Sequence, residues 1–233
     1  MTDINLWLGE GRAEGKRVVD IGSGSGIHSL SFLNLGALSV HSLDYDPHSV
    51  KATSIIRSNA GSPSNWTIEH GSILDLDYVL SLGSFDIVYS WGVLHHTGAM
   101  WEAVDNALRL VAPGGVFWIS LYVKGPRYEE HLALKKKFNS ASPMGKKRMI
   151  MARILRIMLA RAKRLRNPFA WNQAVGRGMN VYNDIVDWLG GLPYETATED
   201  EVVVFARQRG LVLERIQPVA EGGCSNYVFS MPA

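Results

Sequence analysis

The sequence predicts a doubly wound α/β fold, a parallel sheet covered by helices on both faces. Three observations predict it. Short β-branched runs alternate with segments of helical character from residue 17 to residue 122. The first run closes on a cluster of glycines, Gly22, Gly24 and Gly26. The second closes on an acid, Asp44, so both runs read as buried strands that end in functional turns.

Taken in order, Arg17–Ile21 reads as the first strand, and residues 27–35 as a helix stopped by Gly36. Residues 37–43 form a second strand. Asp46 then reads as an N-cap with Pro47 at the first helical position, opening a helix to about Asn59. A short strand over 66–69, a short helix over 74–82, a fourth strand over 85–90 and a helix over 100–111 follow. Pro113-Gly114-Gly115 is a turn before a fifth strand over 116–122. Residues 124–180 break the rhythm, being basic and helical in character. It resumes with a helix around 198–209, ended by Gly210, and strands over 211–216 and 226–231. The expected organisation is a single domain, 1–233, carrying a basic helical insertion or lid at 124–194.

The length of 233 residues and the 46% hydrophobic content suit one such domain with a sizeable core. A lone cysteine, Cys224, has no internal disulfide partner, which points to a reducing compartment and a cytoplasmic location. Neither a signal peptide nor a membrane span is expected, and no metal site is expected. The net charge of +2 is unevenly spread: residues 124–178 hold 15 Lys/Arg against Glu129 and Glu130, a net +13, which leaves −11 elsewhere.

The sharpest motif is Asp20-Ile21-Gly22-Ser23-Gly24-Ser25-Gly26. Glycines after a first strand let a ligand approach the backbone, and the following helix offers free N–H groups. A dinucleotide fingerprint needs glycine where this chain has Ile27. An acid two residues before the first glycine repels a pyrophosphate and attracts an ammonium. Asp44, 22 residues after Gly22, is placed to accept both hydroxyls of a ribose, and Tyr45 to stack on an adenine or to pack.

With these residues, the chain resembles the class I S-adenosylmethionine-dependent methyltransferases. The matching stretches are 18–26, 43–47, His70-Gly71-Ser72-Ile73-Leu74-Asp75, 85–96 and 113–115, all within the region 16–122 that the resemblance covers. The resemblance implies that Asp20, Gly22, Gly24 and Gly26 hold the methionine portion, that Asp44 holds the ribose, and that Ser72 and Ile73 frame the adenine. Many relatives have Asp where this chain has Ser72. Ser90 and Trp91 fall beside the expected methyl group. The implied fold is Rossmann-like, with strand order 3-2-1-4-5-7-6 and the last strand antiparallel. S-adenosylmethionine is the implied cofactor and S-adenosylhomocysteine the product.

At the reacting end, His95 and His96 are the candidate bases. Methyl transfer needs alignment of nucleophile and methyl carbon, and needs a base only when the acceptor is protonated. One of the pair can equally cap or pack the following helix. His28, His41 and His70 read as structural.

A second resemblance covers Arg177-Gly178-Met179 and the run from Asp184 through Trp188-Leu189-Gly190-Gly191-Leu192-Pro193-Tyr194-Glu195. It is to a bacterial methyltransferase subfamily that shares the stretch Trp91–Met100 and a glycine-rich loop near Cys224. The subfamily has more sequence before the first strand, so the N-terminal helix is expected to be shortened here. Tyr182, Asn183, Asp184, Trp188, Tyr194 and Glu195 offer an aromatic wall with polar handles, either a substrate surface or a packed corner.

In the basic segment, residues 146–166 place Ile150, Ile154, Leu155, Met158 and Leu159 near helical spacing. The element reads as a lid helix, as a peripheral contact with an anionic membrane suited to a lipid-soluble acceptor, or as an attractor of acidic ligands. Nucleic acid ranks below these, because aromatic residues are not interleaved with the charges. The expected function is methylation of a small-molecule acceptor, on oxygen. The alternatives are an RNA methyltransferase and a catalytically silent cofactor-binding subunit. The sequence leaves the oligomeric state open.

Overall fold

The glycine and aspartate turns lie at one end of a seven-stranded sheet with strand order 3-2-1-4-5-7-6. The computed structural model describes residues 2–172 and 180–233. Strands β1 (Arg17–Ile21), β2 (Ser39–Asp44), β3 (Trp66–His70), β4 (Phe85–Trp91) and β5 (Val111–Tyr122) run parallel to one another. Strand β7 (Cys224–Ser230) is antiparallel to both β5 and β6 (Val212–Gln217).

Alternation along the strands divides the core in two. On one face Val19, Ile21, Val88, Phe117, Ile119 and Phe229 pack with α4 (Leu76–Ser81), α5 (Met100–Leu108) and α9 (Glu199–Arg207). On the other, Val18, Val40, Tyr89, Trp118 and Val228 pack with α1 (Thr2–Leu8) and with Phe32 of α2 (Ile27–Asn34). Helix α3 (Pro47–Asn59) starts as its sequence predicts, with the Asp46 carboxylate accepting from the His48 amide at 3.0 Å. Thr198 and Glu201 form a reciprocal capping box at the start of α9.

The boundaries around the fifth strand differ most from the sequence reading. The fifth strand begins at Val111, which pairs with Phe85, rather than at Val116. Pro113-Gly114-Gly115 is a bulge inside that strand, with Gly114 at φ 71°, so strand pairing shortens α5 to Leu108. Before β1, the charged N-terminal stretch forms α1, whose Ile4 and Leu8 are buried; its Trp7 ring stacks 5.9 Å from Trp118.

The chain divides into two compact units, Met1–Gly125 with Glu195–Ala233, and Pro126–Tyr194. The first holds the whole sheet. The second consists of α6 (Tyr128–Ser140), α7 (Pro143–Lys163) and α8 (Val181–Gly190) around Phe138, Ile150, Ile154, Ile185 and Leu189. The apolar positions of α7 are split between two faces: Ile150 and Ile154 turn inward, whereas Leu155 and Leu159 are exposed. Arg177, Gly178 and Met179 lie outside the described residues.

Candidate active site

The glycine turn is held by the end of β2. Leu43 O accepts from the amides of Gly22 and Ser23, at 2.8 and 3.1 Å. Asp44 places one carboxylate oxygen 2.9 Å from the Gly24 amide and the other 2.9 Å from the Asp46 amide. The carboxylate thereby ties the turn after β1 to the turn after β2. Gly22, Gly24 and Gly26 all have positive φ, where an L side chain is strained. A Cβ on Gly22 would stand 2.3 Å from Val93, and one on Gly26 would stand 2.8 Å from Thr53. Gly24 and Gly92, at the carboxyl ends of β1 and β4, have nothing within 4 Å of a built Cβ. The cradle is thus closed from behind and open above, which fits a ligand lying against backbone.

Asp20 is placed differently from its neighbours in the motif. It is 2% exposed, beneath the turn, and its Oδ2 accepts from the Ser29 hydroxyl at 2.5 Å. The indole N–H of Trp66 can only donate, and it donates to Ser42 Oγ at 2.8 Å. Ser42 lies 2.7 Å from Ser29 Oγ, so the donors run Trp66, Ser42, Ser29 and end on Asp20. Burial pushes the Asp20 carboxyl up to about 7 despite the Ser29 hydrogen bond, and the Asp44 charge adds to the rise.

Around the expected adenine, Tyr45 is 75% exposed and its ring stacks 6.1 Å from His70. Ser72 Oγ accepts from the Leu74 amide at 3.2 Å. The Ile73 side chain is buried in the core, so any ligand contact from this residue falls to its backbone. Ser90 is also buried, its hydroxyl donating to Ile21 O at 3.0 Å and joining β4 to β1. Trp91 is half-buried, with its ring 5.6 Å from Trp118 and 6.1 Å from His28.

Past β4 the chain forms a single 3-10 turn, Leu94–His96. His95 is buried: its Nδ1 accepts from the Tyr122 amide at 3.3 Å, and its carbonyl accepts from the Glu195 amide at 3.1 Å. The His96 ring is only partly buried, edge-on to Tyr122 at 5.4 Å. His95 therefore fixes the turn, and His96 is the more accessible imidazole. Glu195, expected among the substrate contacts, has both carboxylate oxygens committed to the amides of Gly98 and Met100, at 2.9 and 3.1 Å. It caps α5, whose own N-cap position, Ala99, supplies no side-chain acceptor.

The remaining substrate candidates lie in the helical unit and do not converge. Tyr182, Asn183 and Asp184 are exposed on the first turn of α8. Trp188 and Tyr194 instead turn inward onto Lys135, whose ammonium sits 4.4 and 4.6 Å from their ring centroids and donates to Trp188 O. Arg153 covers the Trp188 ring at 4.0 Å. The burial of Lys135 was missed in the sequence, where it opens a run of three lysines. The signal was its spacing: Lys135 lies four residues after His131 and three before Phe138, on the helix face that carries the apolar residues.

A seven-stranded sheet of this order, with a glycine turn tied to an acid at the ends of β1 and β2, defines the class: a doubly wound protein that binds its ligand where strand order reverses. A family model described as "Methyltransferase domain" matches residues 12–177, and the chain belongs to that family. It is 31% identical over 113 residues to the ubiquinone biosynthesis O-methyltransferase of Psychrobacter cryohalolentis, covering 48% of this chain and 43% of the relative. It is 33% identical over 104 residues to the tRNA U34 carboxymethyltransferase of Methylococcus capsulatus, covering 43% of this chain and 30% of the relative. The chain thus aligns with less than half the length of these curated relatives. Among solved structures, the fold is similar to that of magnesium protoporphyrin IX methyltransferase from Synechocystis with bound SAH. The TM-score is 0.61 at 15% identity, over 99% of this chain and 81% of that one.

Proposed function

We propose that this protein is an S-adenosylmethionine-dependent methyltransferase that acts on oxygen of a small-molecule acceptor. The observation that carries the reading is the Asp44 bridge: one carboxylate spans the glycine turn and the following turn beside the open face of Gly24. Asp44 would hold the ribose hydroxyls, the Gly22–Gly26 backbone the amino-acid portion, and Ser72 with the Ile73 backbone the adenine. When bound, the cofactor supplies an electrophilic methyl group. Asp20, whose carboxyl burial pushes up to about 7, carries a partial negative charge beneath the turn at neutral pH.

His95 is a positioning residue in this reading, because its ring and carbonyl tie together β5, the 3-10 turn and the chain at Glu195. His96, carried on the same turn and more accessible, takes the acceptor's hydroxyl proton. The O-methyltransferase among the matching relatives supports an oxygen acceptor. A second reading, an RNA acceptor, draws on the tRNA-modifying relative and on the stretch from His131 to Asn183, which contains no Asp or Glu. Methyl-labelled S-adenosylmethionine, offered with phenolic, carboxylic and amine acceptors and with bulk tRNA, tests both. Label in a hydroxyl-bearing small molecule is expected; label confined to tRNA would replace the first reading by the second.

A further inference from the structure

Helix α7 is amphipathic in two directions. Its inward face, with Ile150 and Ile154, closes the core of the helical unit. On its outer face Met144, Met151, Leu155 and Leu159 recur at intervals of seven, four and four residues, and so form a stripe along the helix. They are 62%, 60%, 55% and 54% exposed. The stripe is about 22 Å long at 1.5 Å per residue. Arg148 lies within it, and the exposed Lys147, Arg156 and Lys163 border it. Beyond the helix the chain exposes Arg164, Leu165, Arg166 and Phe169, which continues the mixture of apolar and cationic side chains. No acid occurs between Glu130 and Asp184, so nothing on α7 offsets these charges.

We infer that the outer face of α7 docks on an anionic lipid surface, with the helix lying in the interface plane. Exposed thioether and leucyl groups gain from entering the acyl boundary, and the flanking cations gain from anionic headgroups. Lys and Arg stems allow the charged ends to stay in the headgroup layer while the stripe descends. A second copy of this chain is a poorer occupant, because a two-fold contact would set one basic face against another. A nucleic acid would use the cations and leave four large apolar side chains without a partner. No described helix is long and apolar enough to cross a membrane, so the contact is peripheral. The inference is independent of the methyl-transfer reading, since binding is measured without turnover.

Co-sedimentation of the full chain with extruded vesicles provides the test. Vesicles of phosphatidylcholine mixed with phosphatidylglycerol should bind at least about tenfold more tightly than phosphatidylcholine alone. Leu155→Gln combined with Leu159→Gln should weaken that binding by about tenfold, through loss of buried apolar area. Lys147→Gln, Arg148→Gln and Arg156→Gln together should weaken it by roughly a hundredfold, at about fivefold per charge. All five positions are exposed, so thermal unfolding should stay near that of the unmodified protein. The comparison of the two vesicle types needs no variant and stands if any of them fails to fold. Absence of binding to the anionic vesicles overturns the inference. So does binding that ignores the leucine substitutions and is matched by a short RNA duplex, because the face would then be a polyanion contact.

Discussion

Asp20→Asn should remove a pH dependence of stability that the buried carboxyl imposes. In the folded protein the group titrates near 7 against an ordinary value of 3.8. Between about pH 4 and pH 7 the folded state therefore binds more protons at this site than the unfolded state does. Stability falls as pH rises through that window and levels off above it. At about 1.4 kcal/mol per pH unit, the loss is about 4 kcal/mol by pH 8. Asparagine keeps an oxygen to accept from Ser29 but carries no ionisable proton. Urea unfolding of both proteins from pH 4.5 to 8 isolates Asp20, because other titrations cancel in the difference. The variant should match the unmodified protein near pH 4.5 and exceed it by several kcal/mol at pH 8. Parallel pH profiles would show that the carboxyl is solvated or compensated, and the reasoning about the Trp66–Ser42–Ser29–Asp20 chain would fail.

Other substitutions probe the frame of the site. Gly22→Ala should cost about 2–3 kcal/mol, from the left-handed backbone and the clash with Val93. In a double-mutant cycle Val93→Ala should recover about 1 kcal/mol of this, and strict additivity would count against the contact. Glu195→Ala should destabilise the protein by about 1–2 kcal/mol by uncapping α5, read as a lowered Tm. An unchanged Tm would argue for a ligand role instead. His95→Ala should lose about 2–4 kcal/mol, because a buried amide loses its acceptor and a cavity opens. His96→Ala should cost less than about 1 kcal/mol yet lower turnover by roughly a hundredfold. The reverse pattern would exchange their roles.

The parts of this fold that were legible in the sequence are those fixed by neighbours along the chain. Asp46 caps α3 through its own next turn, and Gly22, Gly24 and Gly26 occupy positive φ within a few residues of β1. The start of α9, expected around residue 198, is equally local, set by the Thr198–Glu201 capping box. What escaped is long-range. The sequence places Asp20 beside the glycines, but its environment comes from Ser29, Ser42 and Trp66 on α2, β2 and β3. Glu195 reads as a polar handle of a substrate surface or packed corner, until the fold brings it to amides 95 and 97 residues away. The Pro113–Gly115 bulge and the early start of β5 depend on pairing with β4, which no periodicity within residues 111–122 reveals. On α7, spacing alone grouped Ile154 with Leu155, although the helix turns one inward and the other outward.

Titration calorimetry of S-adenosylhomocysteine against the unmodified protein, Asp44→Asn and Asp44→Ala addresses the glycine–carboxylate cradle most directly. The cradle should bind the nucleoside in the unmodified protein, with affinity reduced in the alanine variant by about 1–3 kcal/mol, five- to 150-fold. The asparagine variant, which keeps one acceptor oxygen, should fall between. Equal affinity in all three proteins, or preference for a nicotinamide dinucleotide over the thioether nucleoside, would contradict the account.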